Sequence, residues 1–464
     1  MLFNSFIFVV FFLITYGMYA LLRPKTQNRL LLAASYVFYG WWDVRFLSLI
    51  FLSTLIDYVC GLRIHETPDP RRRRFYLALS LCSNLGILLF FKYFGFFMES
   101  LADLIGLWGL HADPRFLQIV LPVGISFYTF QTMSYTIDIY RNKMEPTRDF
   151  LNFALFVAYF PQLVAGPIER AAELLPQIEG RRILRYRHLR EGAWLILFGY
   201  VKKVVLADNL AVFVNEVYNA PESAFGCSIP IATLAFALQI YGDFSGYSNI
   251  ARGISKLMGI ELMQNFRRPY FSINPSEFWN RWHISLSTWL RDYLYIPLGG
   301  NRHGSGKTYR NLLITMLLGG LWHGAAWNFV LWGAFHGLIL ILYRRFPGLG
   351  RSPTRFGHAV RFVVFFTVTL LGWMIFRVNA LSDIPLLLSN AVSPFAFTGK
   401  LALLTILLFG LPVLLLDLAQ ERNQNEFVVK TWPRPIRFAV YMALISLICL
   451  SGVMNKNAFI YFQF

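Results

Sequence analysis

Residues 317–337, LLGGLWHGAAWNFVLWGAFHG, set the terms for any fold of this chain. The stretch is almost wholly apolar. As a helix rising about 1.5 Å per residue it is roughly one membrane thickness long. It also holds two histidines, His323 and His336. An ionisable side chain inside a membrane-length segment is costly, so each marks a candidate functional position. Thirteen residues apart on one continuous helix, the two rings point roughly 140° away from each other. They are not expected to share a face unless Gly319, Gly320 or Gly324 breaks or tilts the helix. His323 is the stronger candidate. It lies between Trp322 and Gly324 in the glycine-rich part, where backbone or a ligand can approach closely.

Long apolar runs recur from one end of the chain to the other. Only 15% of the 464 residues are charged and 56% are hydrophobic, against about 25% charged in a soluble domain. The class is therefore all-α, a polytopic helical membrane protein. A β-barrel would show short alternating segments instead. The net charge of +18 sits between the apolar runs, as cytoplasmic loops require. It reads as topology and contact with the lipid bilayer, and no nucleic-acid partner is expected. Cys60, Cys82, Cys227 and Cys449 have no metal-binding spacing and read as packing residues. The N-terminus reads as a first span and not as a cleaved signal.

Spans are expected at residues 3–22, 30–39, 46–62, 75–97, 117–140, 193–206, 229–241, 309–321, 326–343, 360–375, 401–416 and 438–453, with the second and third paired across the GWWDVR turn. The expected count is about eleven crossings, with the N-terminus outside and the basic loops in the cytoplasm. The loop at 99–115 has few basic residues, as an outer loop should. Residues 150–168 are apolar but flanked by basic loops on both sides, which suggests a re-entrant segment broken at Pro161, Gly166 and Pro167. No internal repeat is visible, and residues 1–464 read as one integral domain.

A second feature runs through residues 274–300, NPSEFWNRWHISLSTWLRDYLYIPLGG. Asn274 reads as an N-cap, Pro275 as the first helical residue and Glu277 as the return half of a capping box. The following helix is expected to be amphipathic, with Trp279, Trp282, Leu286, Trp289, Leu290 and Tyr293 on its aromatic face. His283 belongs to that face and should be buried. Alone it fits a satisfied core histidine in an interfacial helix. With His323 it could converge on one cavity, where a neutral imidazole serves as a general base.

A third cluster, YGDFSGYSNIARG at residues 241–253, surrounds Asp243 with glycines and hydroxyls. It suggests irregular backbone lining a cavity, or equally a span end capped by the aspartate. RRPY at residues 267–270 is a basic, aromatic loop that could meet donor phosphates. HExxH, GxSxG and GxGxxG are absent, so a zinc protease, a serine-hydrolase elbow and a dinucleotide site are unsupported.

These blocks resemble the membrane-bound O-acyltransferase (MBOAT) family, in its bacterial alginate O-acetylation branch. The matching pieces are PQLVAGPIER (161–170), GDFSGYSNIARG (242–253), residues 266–304, residues 315–337 and FIYFQF (459–464). A D-alanyl-transfer branch is similar more distantly. The resemblance implies a ring of tilted helices around a tunnel. It maps the invariant family histidine onto His323 and the branch's second histidine onto His283 as catalytic residues. His336, Trp282, Trp322, Asp243 and Asn280 are candidates for supporting or tunnel-lining roles. The implied reaction moves acetyl from a cytoplasmic donor, acetyl-CoA, toward an extracytoplasmic polysaccharide such as alginate. No permanently bound cofactor and no metal are expected. The implied partner is a periplasmic SGNH-hydrolase-like acetyltransferase on a separate chain, and the implied location is the bacterial inner membrane. Bacterial cellulose and peptidoglycan are alternative acceptors. A transporter is the non-enzymatic rival, because mid-membrane histidines also serve proton-coupled transport.

Overall fold

The computed structural model describes residues 1–109, 119–351, 354–392, 400–454 and 459. The ends of the expected outer loop and of the 117–140 span, at 110–118, lie outside the described residues, as does 460–464 of the terminal block. All regular elements among the described residues are helical. They fall into two compact units. One comprises Met1, Phe6–His188 and Ser255–Met263. The other comprises Leu2–Ser5, Leu189–Ile254 and Gln264–Phe464.

The first unit is built from α1 (Phe6–Leu21), α2 (Pro24–Gly40), α3 (Leu47–Glu66), α4 (Pro70–Leu88), α5 (Phe94–Gly106), α6 (Ile125–Tyr140), α7 (Phe150–Ala158), α8 (Phe160–Leu163) and α9 (Ala171–Glu179). α3, α4 and α6 pack on one another around a buried carboxylate. Asp57 accepts from Ser80 Oγ at 2.5 Å and from Asn84 Nδ2 at 2.8 Å, so its charge-bearing oxygens are met by neutral donors. Residues 150–168 are interrupted at Tyr159, between α7 and α8, and again after Leu163, where Gly166 and Pro167 lie in non-helical backbone; Pro161, expected to break the run, instead sits in the first turn of α8. Residues 153–169 are all buried. Irregular backbone survives there because side chains complete its hydrogen bonding. The Phe156 carbonyl, near the end of α7, accepts from Gln131 Nε2 at 2.6 Å and Gln162 Nε2 at 2.8 Å.

The second unit holds α10 (Tyr186–Tyr200) from Leu189 onward, α11 (Asp208–Tyr218), α12 (Ser228–Leu257) as far as Ile254, α13 (Pro275–Trp279), α14 (Ile284–Leu290), α15 (Gly304–His323), α16 (Trp327–Arg345), α17 (Arg355–Arg377), α18 (Asp383–Ala391), α19 (Lys400–Thr405), α20 (Leu411–Asn423) and α21 (Arg434–Ser451). α10 and α11 are joined by a π-helical stretch, Val201–Ala207.

The sequence suggested irregular backbone or a span end around Asp243. The structure corrects this: α12 runs unbroken for 30 residues through the whole cluster. Its glycines serve close helix packing instead. A Cβ at Gly246 would lie 2.7 Å from the Gly199 carbonyl oxygen, and one at Gly253 would lie 2.7 Å from that of Gly192. Glycine at these positions lets two helices touch backbone to backbone, as in membrane helix pairs.

Five helices among the described residues are long and apolar enough to cross a membrane: Val44–Glu66, Pro70–Gly106, Arg355–Arg377, Lys400–Asn423 and Arg434–Ser451. Other expected spans are helical but shorter, interrupted or studded with polar residues. α6 has 16 residues, and α15 opens with GSGKTYRN. Of the four cysteines only Cys60 is buried, while Cys82 and Cys449 are exposed, so packing in a core does not explain those two.

Candidate active site

The second unit gathers all three singled-out histidines around one aromatic cluster. The residues of 274–290 do not form the continuous helix expected from their periodicity. α13 ends at Trp279, His283 adopts a left-handed conformation (φ 42°, ψ 55°), and α14 starts after it. A left-handed conformation costs a residue with a Cβ about 1–2 kcal/mol, so neighbours must impose it. They do so on both flanks. Arg267 N–H donates to the Arg281 carbonyl at 2.8 Å, and Ile284 N–H to the Asn265 carbonyl at 2.9 Å. Asn265 Oδ1 accepts from both the backbone N–H and the hydroxyl of Ser285, each at 3.0 Å. Ser287 N–H donates to the His283 carbonyl at 2.9 Å.

At the start of this segment Asn274 caps α13 as expected, accepting from Glu277 N–H at 2.9 Å. The return half of the box differs. The Glu277 carboxylate accepts from Ile273 N–H at 3.2 Å and pairs with Arg281 at 2.6 Å.

His323 is the last residue of α15, and α16 begins at Trp327. Gly324 and Ala326 are extended, so the chain reverses between the helices instead of continuing. Gly319 and Gly320 lie within α15 and do not break it. Gly320 and Gly333 bring α15 and α16 into contact: a Cβ on Gly320 would overlap the Phe329 carbonyl, and one on Gly333 that of Met316. This reversal overturns the expectation that His323 and His336 face apart. Both rings pack on Trp332, at centroid distances of 5.0 and 4.6 Å.

His283 and His323 approach to 6.2 Å between ring centroids. That leaves a gap wider than a direct hydrogen bond. Both are almost wholly buried. Phe244 of α12 stands 4.6 Å from His283, and Trp322 bridges the two histidines at 5.7 and 5.3 Å. Phe376 of α17 closes the other side of His323 at 5.6 Å. Burial pushes the His283 imidazole well below its ordinary range, which keeps it neutral. The buried indole N–H groups of Trp279 and Trp332 have no acceptor among the described residues, so each is a donor ready for a ligand oxygen.

His336 lies behind Trp332. It touches Trp279 at 5.2 Å and fits against Gly372, where a Cβ would come within 2.8 Å of Nε2. Trp282 is fully buried but packs on Phe278, Phe266 and Trp373. Asn280 is exposed at the C-terminal end of α13 and does not line the buried cluster, because the turn into His283 carries it outward. Asp243 faces away from the histidines as well. Its carboxylate pairs with Lys203 Nζ at 2.7 Å, and Lys203 also meets Asp208 at 2.9 Å. In the RRPY loop, Arg268 is buried against Glu421 at 2.7 Å, which leaves its charge already met.

Sequence reasoning missed Phe244, Trp332 and Phe376, the walls of the site. Phe244 and Trp332 lie in the blocks already singled out, one residue after Asp243 and nine after His323. Phe376 sits near the end of an ordinary apolar run and carries no signal of its own.

Chemically, the arrangement sets two imidazoles, His283 and His323, against each other inside an aromatic enclosure. The sequence model of the MBOAT, membrane-bound O-acyltransferase family matches residues 141–382, which include all three histidines. The chain is 44% identical over 386 residues to the probable alginate O-acetylase AlgI of Pseudomonas putida, covering 82% of this chain and 78% of the relative. It is likewise 44% identical over 384 residues to the probable alginate O-acetylase AlgI of Pseudomonas aeruginosa, with 82% and 73% covered. It is 36% identical over 416 residues to the peptidoglycan O-acetyltransferase of Helicobacter pylori, with 82% and 78% covered. A relative this similar over this much of both chains, together with the match across the histidine-bearing half, makes this protein a member of the membrane-bound O-acyltransferase family.

Proposed function

We propose that this O-acyltransferase moves an acetyl group from cytoplasmic acetyl-CoA to an acceptor hydroxyl, for O-acetylation of an extracytoplasmic polysaccharide, with alginate as the polymer. The observation that carries the reading is the pair His283 and His323, buried 6.2 Å apart in one aromatic enclosure. It is supported by likeness to proteins named as alginate O-acetylases. In this reading His323 takes the proton from the hydroxyl as its oxygen attacks the thioester carbonyl. The C–S bond then breaks, and the thiolate leaves and takes up the proton. His283 holds the donor carbonyl or tunes His323. Trp332 supplies a hydrogen-bond donor beside His323, where charge develops on the carbonyl oxygen.

The wider setting belongs to the same proposal. The chain crosses the bacterial inner membrane about eleven times, its helices ring a tunnel, and a periplasmic SGNH-hydrolase-like partner completes delivery. A tunnel lets acetyl meet its acceptor without either large substrate crossing the bilayer. Likeness to the Helicobacter pylori enzyme supports a second acceptor reading, peptidoglycan. Family membership sets the transporter aside.

The test is the O-acetyl content of exopolysaccharide and peptidoglycan in cells carrying His323→Ala, with membrane abundance checked by immunoblot. Loss of general-base assistance should lower transfer by about 10²–10⁴-fold at normal abundance, and the polymer that loses acetate names the pathway. Unchanged acetate in every polymer would remove His323 from the reaction.

A further inference from the structure

The second unit holds a cavity that the histidine site does not use. About 480 Å³ in volume, it lies among α11, the short turn after it, the start of α12 and α19. Its walls are of two kinds. Val212, Phe213 and Leu401 make up much of the apolar part. Val212 is 70% exposed and Leu401 76%. Leu401 belongs to Lys400–Asn423, one of the helices long and apolar enough to cross a membrane, and Leu404, Leu407 and Leu408 of that helix are exposed as well. An apolar face of this kind is covered by lipid in a bilayer, so a groove on it meets lipid before any soluble ligand.

The polar part is one-sided. Glu216, near the end of α11, is the charged residue of the lining, and among the described residues it forms no ion pair. Arg377 bonds α11 at Asn215 and Asn219 and leaves Glu216 unmatched. The side-chain donors around the cavity are already spent on backbone carbonyls. Ser223 Oγ donates to the Ala220 carbonyl at 3.0 Å, Ser228 Oγ to that of Phe225 at 2.7 Å, and Thr405 Oγ1 to that of Leu401 at 2.9 Å. Asn209 Nδ2 donates to the carbonyls of Val205 and Ser451 at 2.8 and 2.9 Å, which fixes its amide and leaves Oδ1 to accept.

What these side chains still offer is a carboxylate, three hydroxyl oxygens and an amide oxygen, all of them acceptors. Such a set disfavours an anion. It matches a cation with several N–H donors, and a primary ammonium has three. An apolar wall beside an acceptor cluster is the complement of an amphiphile whose head ends in an amine.

We propose that the groove between α11 and α19 binds an aminophospholipid, phosphatidylethanolamine. Its ammonium sits on Glu216 and the neighbouring hydroxyl oxygens, and an acyl chain lies along Val212, Phe213 and Leu401. Phosphatidylglycerol has no cation to offer Glu216. Phosphatidylcholine has the charge but no N–H to donate. The inference is independent of the acetyl-transfer reading and adds a lipid site to the second unit.

The test reads lipid retention by native mass spectrometry, on the full chain released from nanodiscs of equimolar phosphatidylethanolamine, phosphatidylcholine and phosphatidylglycerol with matched chains. Wild type should retain phosphatidylethanolamine about tenfold more than phosphatidylglycerol, the scale of hydrogen bonds to a charged group. Phosphatidylcholine should fall between them. Glu216→Gln should bring phosphatidylethanolamine down to the phosphatidylglycerol level. Glu216 is exposed, so this variant should unfold as wild type does. Val212→Trp, also at an exposed position, fills the apolar wall and should release the bound lipid whatever its head. Glycerophosphoethanolamine, the same head without chains, should fail to displace the lipid at equal concentration. Equal retention of the three lipids by wild type, or a Glu216→Gln that keeps the preference, overturns the ammonium assignment. A Val212→Trp that retains phosphatidylethanolamine as wild type does overturns the groove, even if Glu216→Gln proves unstable. Displacement by the chain-free head would make this a site for a soluble amine and overturn the lipid.

Discussion

Asp243 and Phe244 are neighbours on α12, yet they face two opposite solutions to burying a titratable group. Beside Asp243, the buried groups are charged and paired: Lys203 lies 2.7 Å from Asp243 and 2.9 Å from Asp208. Beside Phe244, the buried groups are imidazoles walled by aromatic rings. The first arrangement has its electrostatic demand met inside the protein and holds a fold together. The second sets His283, which burial keeps neutral, against His323 among aromatic rings, a setting suited to taking up a proton. Burial alone does not separate function from structure. What surrounds the buried group does.

The π-helical stretch Val201–Ala207 is what allows the charged side to exist. It carries Lys202 and Lys203 in succession, both buried. Lys202 turns to Tyr241 at 3.1 Å and Asp417 at 3.5 Å, while Lys203 turns to the other two aspartates. The comparison breaks most severely if Lys203→Met is harmless. That change leaves two buried carboxylates without their cation, and removing one partner of a buried pair costs about 3–5 kcal/mol. Such a loss is a large fraction of a fold's margin of about 5–15 kcal/mol. Thermal unfolding of the purified variant in detergent should start far below wild type, with membrane abundance falling in step. Normal unfolding with reduced acetyl transfer would instead move this cluster to the chemical side of the comparison.

A smaller effect is expected from the seam that fixes both faces of α12. A Cβ on Gly246 meets the Gly199 carbonyl oxygen at 2.7 Å and Lys203 N at 3.0 Å, and neither is a flexible side-chain end. Gly246→Ala should therefore force the helices apart and cost about 1–3 kcal/mol. Activity should fall only in proportion to the folded fraction. A variant that keeps wild-type unfolding but loses turnover would show that the seam tunes the site directly.

Much of this is legible in the sequence alone. Apolar run lengths gave the helical class, and Asn274–Pro275 gave the start of α13. The histidines were found because charge-capable side chains are rare in such runs. What the sequence concealed has a common cause: one residue type answers two structural needs. Glycine around Asp243 reads equally as a bend or as close packing. The second choice left a trace, since Gly192 and Gly199 are seven residues apart and so are Gly246 and Gly253. Two helices with matched two-turn glycine spacing can run side by side along one seam. The aromatic spacing from Trp279 to Tyr293 reads as one helix, because a single left-handed residue at His283 barely disturbs it. The return of α16 on α15 hid in the same way. Gly324 was one of three candidate break points, and only at the reversal do His323 and His336 meet on one ring.

That meeting sets the last and smallest expectation. His336 is as buried as His323, lies in an equally aromatic setting and touches the same Trp332. If burial among aromatics were enough to define the site, the two would be equivalent. His336, however, has Trp332 between it and the gap bounded by His283 and His323, and its Nε2 side is taken up by Gly372. In the reaction proposed above it would support Trp332, whose indole N–H needs a fixed direction to serve a ligand oxygen. A side chain of similar reach should do that nearly as well. His336→Gln should cost less than about 1.5 kcal/mol of stability, because one buried polar side chain replaces another and at most one net hydrogen bond is lost. Transfer should fall less than about tenfold, the size of a disturbed hydrogen-bond direction and well short of a lost base. The two variants His336→Gln and His323→Gln should be assayed together, in the same membranes and at matched abundance. A loss at His336 as deep as that at His323 would place a proton-handling group on the far side of Trp332 and redraw the site around three histidines.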